Sequence, residues 1–208
     1  MVQRKQIARP SGRKRTAKFI AEKALRLASK NNKTMEVKSA AASYNSTVNN
    51  TGVVELLSGI AEGTDYDDRI GKKITLRSVQ IRGHALNNDT TLGNSTIMRL
   101  LIVRDNTLSG SAPAISDILL NTTVYSVRNP APEKLKSYTV LYDKSFDTFR
   151  EKPVVRFSKY KKLGTSAIFD GATVADVNKG SLYAIMLSNR SSNLPTFQYQ
   201  TMIKYVDQ

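Results

Sequence analysis

The residues of this sequence that could do chemistry are mainly cations. Residues 1–38 carry Arg4, Lys5, Arg9, Arg13, Lys14, Arg15, Lys18, Lys23, Arg26, Lys30, Lys33 and Lys38, against two acids, Glu22 and Glu36. Twelve minus two gives +10 in 38 residues. The remaining 170 residues hold 20 basic and 15 acidic side chains, which gives +5 of the total +15. Charge at this density serves the neutralisation of a polyanion, either nucleic-acid phosphates or an anionic membrane surface. Arg4, Lys5, Arg9, Arg13, Lys14, Arg15, Lys18, Lys23, Arg26 and Lys30 are the candidate phosphate contacts.

Other chemistries are poorly supplied. The chain has no Cys and a single His, His84. Disulfides, thiolate zinc sites, Cys nucleophiles and His-pair metal sites are therefore excluded. His84 follows Gly83 near a strand end with no evident partner, which suits a structural role better than general acid–base work. Residues 63–73 (GTDYDDRIGKK) superficially resemble a phosphate loop. A Walker motif ending at Gly71-Lys72 needs Gly where Tyr66 stands and Ser or Thr where Lys73 stands. Asp65, Asp67 and Asp68 lie close enough to gather a hard cation. They lack calcium-loop spacing and the distal Glu, so a solvated acidic loop is the simpler reading. There is no G-x-S-x-G elbow. No enzyme is expected.

The elements that would position these groups fall into two parts. Residues 1–38 read as a basic arm. Residues 1–15 carry Pro10 and Gly12 and few apolar groups, which predicts disorder in the free protein. Residues 16–30 place Ala17, Ile20, Ala21, Ala24, Leu27 and Ala28 at helical spacing, with Thr16 as cap and Asn31-Asn32 as stop. This narrow Ala-rich stripe makes a marginal helix that needs a partner.

Residues 39–208 read as an all-β domain. Strands are expected at 53–57, 73–86, 96–104, 123–127, 138–143, 154–160, 181–188 and 197–206, separated by Asn-, Gly-, Pro- and Ser-rich joints. In 73–86 the apolar phase switches from Ile74 and Leu76 to Val79 and Ile81, which predicts a β-bulge. Residues 96–104 are apolar on both faces apart from Arg99, as in a buried central strand. Residues 112–120 (APAISDILL) read as a short loop helix with Pro113 near its start.

No apolar run reaches the ~20 residues of a membrane-spanning helix. The first 15 residues contain no signal-peptide core, so synthesis inside the cell is expected. Residues 9–15 (RPSGRKR) also fit a nuclear localisation signal.

Several motifs together resemble a known family. Residues 56–83 carry Gly63, then Arg69-Ile70-Gly71-Lys72-Lys73-Ile74, then Ile81-Arg82-Gly83. Residues 99–119 give a strand, an Asp-containing turn, Ala-Pro and a short helix, and SVRNP (126–130) and YTVLYDKSF (138–146) follow in order. This resembles the single-jelly-roll coat proteins of small icosahedral viruses, with the satellite tobacco necrosis virus coat protein and the capsid proteins of circular Rep-encoding single-stranded DNA viruses as relatives. The likeness covers roughly residues 35–150 and is looser toward the C-terminus. It implies an eight-stranded jelly-roll sandwich, a shell of about 60 subunits (T=1) and an inward-pointing arm on single-stranded nucleic acid. The expected location is the virion, with the host cytoplasm or nucleus during assembly. The R-I-G-K-K-I and V-L-Y-D-K-S-F wording is nearer the DNA-virus group, so DNA is favoured over RNA as the partner. No cofactor is required. The satellite relative implies calcium between subunits at Asp207, with Asp65 as a second ligand; Thr64 stands where that relative has an acid.

The alternative is a cellular nucleic-acid-binding β-barrel with a basic tail. Such modules interleave aromatics with basic residues on one strand. Aromatics make up 7% of this chain, and that pattern occurs only around Phe157, Lys159 and Tyr160. A sugar-binding jelly roll leaves the arm unexplained.

Overall fold

The computed structural model describes residues 20, 22–23, 36–89 and 95–207. The chain divides into two units, Met1–Glu36 and Val37–Gln208. In the first, Ile20, Glu22 and Lys23 have helical backbone, within the helix expected over 16–30. The rest of that helix and the disorder expected over 1–15 lie outside the described residues.

The second unit contains β1 (Lys38–Thr47), β2 (Val53–Leu56), β3 (Lys73–Leu86), β4 (Thr96–Asp105), α1 (Ile115–Ile118), α2 (Pro132–Ser137), β5 (Tyr138–Thr148), β6 (Val154–Phe169), β7 (Val177–Lys179), β8 (Leu182–Ser188) and β9 (Thr196–Asp207). The strands form a five-stranded sheet, β1-β9-β3-β6-β7, and a four-stranded sheet, β2-β8-β4-β5. The antiparallel pairs nest: β4 with β5, β3 with β6, β2 with β8 and β1 with β9. A long hairpin rolled up on itself in this way is a jelly roll. Eight strands make the roll, and β7 is a three-residue addition paired only to the end of β6.

Each sheet turns alternate residues inward. Ile74, Leu76, Val79, Ile81, Leu100, Ile102 and Met186 fill the space between the sheets. Phe146, Phe157 and Phe197 meet there with ring centroids 5.5–6.1 Å apart. The bulge expected in β3 lies between Leu76 and Ser78, where the apolar phase switches. Gly83 faces inward beside Tyr199. A Cβ there would overlap the Gln198 carbonyl oxygen and the Tyr199 side chain, so the two strands need glycine at this position.

A second core lies on the other side of the four-stranded sheet. The β4–β5 connection lays Ile115, Ile118, Leu119 and Val124 over Leu101, Val103, Ile185 and Leu187. This explains why β4 and β8 are buried on both faces.

Several expectations need correction. Residues 123–127 are not a strand. The Asn121 side chain accepts hydrogen bonds from the Thr123 N–H (3.1 Å) and hydroxyl (2.7 Å), and this local turn competes with extension. The loop helix spans Ile115–Ile118 rather than 112–120, because the backbone is extended at both Ala114 and Leu119. β1 and α2 were not anticipated. β1 is a run of Ala and Ser that is held by ten pairings to β9, so tertiary pairing overrides its weak propensity. β5 and β6 extend well past their predicted ends, to Thr148 and Phe169.

Candidate nucleic-acid interface

Among the ten candidate arm contacts, Lys23 is described; it is helical and exposed. Arg4, Lys5, Arg9, Arg13, Lys14, Arg15, Lys18, Arg26 and Lys30 lie outside the described residues.

The charge of the body is sorted between the two sheets. The strands of the five-stranded sheet hold Lys38, Lys73, Arg77, Arg82, Arg156, Lys159, Lys161, Lys162, Lys179 and Lys204 against one acid, Asp207. The strands of the four-stranded sheet hold Arg99, Arg104 and Lys144 against Glu55, Asp105, Asp143 and Asp147. Ten to one on one sheet and three to four on the other is a strong asymmetry. Sequence reading missed it because each strand taken alone is unremarkable; only the strand order brings β3, β6 and β9 side by side.

Register places the outward side chains of the five-stranded sheet in rows. One row is Ala41, Met202, Gln80 and Tyr160. The next is Ser43, Gln200, Arg82 and Ser158, and the third is Asn45, Gln198, His84 and Arg156. Next to the bulge, Lys204 and Lys162 flank Ser78. Arg82, Arg156, Lys162 and Lys204 are all exposed. Shallow grooves run over this face, lined by Ser43, Gln80, Arg82, His84, Arg156 and Gln200. His84 lies opposite Gln198 on one side and Arg156 on the other.

The two most buried arginines serve structure instead. Arg69 is fully buried. Its Nε donates to the Ile60 carbonyl at 3.0 Å, and Nη1 donates to Gly71 O at 2.7 Å and to Glu62 Oε2 at 3.0 Å. Nη2 donates to Gly171 O, and the guanidinium lies 4.2 Å from the Phe169 ring centroid. The arginine of the R-I-G-K-K-I motif therefore ties two loops together. Arg99 grips Asp143 and also reaches the Val124 and Ser126 carbonyls.

Asp207 and Asp65 stand as follows. Asp207 Oδ2 lies 3.3 Å from Lys38 Nζ, and Oδ1 accepts the Ile70 N–H at 3.3 Å. Lys38 Nζ also donates to the Asp68 carbonyl at 2.7 Å. The Asp65 N–H donates to Asp68 Oδ2 at 3.3 Å. Tyr205, its phenol pushed upward by burial and then by Asp207, Asp67 and Asp68, donates to the Asp67 carbonyl at 2.9 Å. Calcium takes six to eight oxygen ligands. Among the described residues no group of three or more acids or histidines gathers, and an ammonium already carries positive charge at Asp207. The residues of one subunit do not fit the ion.

Comparison with known proteins matches residues 5–208 to the family described as satellite tobacco necrosis virus coat protein. The coat protein of Satellite tobacco necrosis virus 2 is 26% identical over 156 residues, covering 74% of this chain and 77% of that protein. The coat protein of Maize white line mosaic Satellite virus is 26% identical over 175 residues, covering 77% and 75%. Among solved structures, a chain titled Desmodium yellow mottle tymovirus is similar over 84% of this chain and 90% of that one, with 10% identity and a TM-score of 0.30.

Proposed function

This chain belongs to the satellite tobacco necrosis virus coat protein family, and from that premise we propose that it builds a small icosahedral shell and packages a single-stranded genome through its basic N-terminal arm. The coarser statements need no proposal: it is a viral capsid protein, a structural component of the virion that assembles into an oligomer, and not an enzyme.

The observation that carries the proposal is the charge division of a coat protein: +10 in residues 1–38 and +5 in the other 170. The jelly roll is the tile. Its two sheets and two cores are built within residues 37–208, and the arm serves the cargo. With about 60 subunits, the arms bring roughly 600 net positive charges, on the order of the charge of a genome of about a thousand nucleotides. Arm–phosphate contacts set affinity and register without reading sequence. Single-stranded DNA is the favoured cargo on the motif wording, with RNA as the alternative.

The test keeps the chain whole. Replacing the ten arm cations by Gln should leave particles that form but absorb like protein, with little 260 nm excess. Particles of the variant that carry as much nucleic acid as wild type would overturn the role of the arm.

A further inference from the structure

We propose that a pocket at the corner where the two sheets meet binds a small, multiply charged phosphate anion of the diphosphate class, one per chain. The site is separate from the arm and from the packaged strand.

The pocket, about 380 Å³, is lined by Lys73 of β3, Arg104 of β4, Thr165 and Ser166 of β6, and Lys179 of β7. Its shape depends on Gly180, which has φ +78°. A Cβ there would overlap the Ser166 carbonyl oxygen, so glycine lets the β7–β8 turn lie this close to β6. The Gly180 N–H donates to the Asp105 carbonyl and the Asp105 N–H to the Ser181 carbonyl, both at 2.9 Å. These two bonds stitch the end of β4 to the same turn. Arg104 of the four-stranded sheet is thereby brought to the lysines of the five-stranded one. Lys73 pairs with Ile168, and Ile168 with Lys179. The two lysines therefore stand on one face, with backbones about 10 Å apart.

Three observations point to an anion. First, among the described residues Lys73, Arg104 and Lys179 form no ion pair. Three like charges around one pocket repel each other, and a counter-anion relieves that repulsion. Second, the arginine is preset. Its Nε donates to Asn106 Oδ1 at 2.8 Å, and Asn106 Nδ2 is held by the Lys136 carbonyl at 3.1 Å and the Thr139 hydroxyl at 3.0 Å. That leaves both Nη groups to a ligand, and a guanidinium fork matches phosphate oxygens. Third, the Thr165 hydroxyl is buried with no hydrogen-bond partner among the described residues. A phosphate oxygen supplies the acceptor it lacks.

Charge selects the ligand. A carboxylate brings one negative charge, and so does an internucleotide phosphodiester. A phosphate monoester brings about −1.5 to −2 near neutral pH, and diphosphate brings more, which suits three cations. Edge protection is the competing account. Lys179 lies on the edge strand β7, where a lysine discourages sheet-to-sheet pairing. Arg104 lies on β4, paired on both sides to β5 and β8, so that account does not cover it.

The experiment titrates inorganic diphosphate into the full chain by calorimetry, for wild type and for the chain with its ten arm cations replaced by Gln. Both should show one saturable site per chain. K73Q/K179Q should weaken binding about tenfold or more, by loss of two charge-assisted contacts, whereas K73R/K179R should keep it. Both lysines are exposed, and the ligand-free K73Q/K179Q chain should melt no earlier than wild type, because it loses only repulsion. Thr165→Val should weaken binding about threefold, the worth of one hydrogen bond. Binding that vanishes with the arm, or equal affinity in wild type and K73Q/K179Q, would overturn the proposal. So would displacement of diphosphate from the arm-neutralised chain by poly(dT) without a terminal phosphate at equal phosphate concentration, since the site would then take phosphodiesters.

Discussion

Arg99 on β4 and Asp143 on β5 meet in a two-pronged contact, Nε to Oδ1 at 2.8 Å and Nη2 to Oδ2 at 2.7 Å. The spare Nη1 reaches over the sheet to the carbonyls of Val124 and Ser126. One side chain thus joins two strands and straps down the loop that covers them. Lys presents a point charge without the planar fork and cannot hold all these partners. Arg99→Lys should lower stability by roughly 2 kcal/mol, below the ~3–5 kcal/mol of a fully broken buried pair because Lys keeps the charge and Asp143 is partly exposed. Limited proteolysis should show earlier cleavage within 112–130, with the sheets still intact.

Arg69→Leu should cost more, about 3–5 kcal/mol. It leaves the Ile60, Gly71 and Gly171 carbonyls without their donor in a buried site. The comparison is the urea midpoint at matched protein concentration, because assembly adds to apparent stability. A midpoint equal to wild type would refute the strap.

Gly83→Ala should destabilise by about 1–3 kcal/mol, the usual range for overpacking. Its Cβ meets backbone at Gln198 as well as the Tyr199 side chain, so the cost cannot be relieved by a rotamer change. Thermal unfolding of the variant and wild type reads the loss directly.

These three predictions show what sequence could and could not reveal. The β3 bulge was legible because burial leaves a phase in the apolar pattern. The apolar run of β4 was legible because both its faces are covered. Arg69 was visible only as part of a motif; its role depends on Gly171, 102 residues away, and no local pattern encodes such a partner. β1 was hidden because Ala and Ser carry no strand signal, and the pairing to β9 supplies it. The basic face was hidden for the same reason, since Arg82, Arg156 and Lys204 become neighbours only through strand order.

Alkaline pH should unfold the body in a narrow window. Burial raises the phenols of Tyr44, Tyr138, Tyr142, Tyr183, Tyr199 and Tyr205, with Tyr138 pushed up to about 12. An unfolded tyrosine ionises near 10. Above pH 10 the unfolded chain therefore releases protons that the folded chain retains. Stability is fully present below pH 10 and falls as pH rises toward 12. Phenolate absorbance at 295 nm should rise together with loss of near-ultraviolet circular dichroism. A smooth titration of all tyrosines near pH 10 with the fold intact would contradict the burial.

The most direct test of the central claim is sedimentation velocity of the full chain, recorded at 260 and 280 nm together, beside the arm-neutralised variant. The account predicts one fast species above a megadalton for both, with strong 260 nm absorbance for wild type and a protein-like ratio for the variant. A wild-type protein that stays near the 23.0 kDa of one chain as salt and calcium are varied would contradict it.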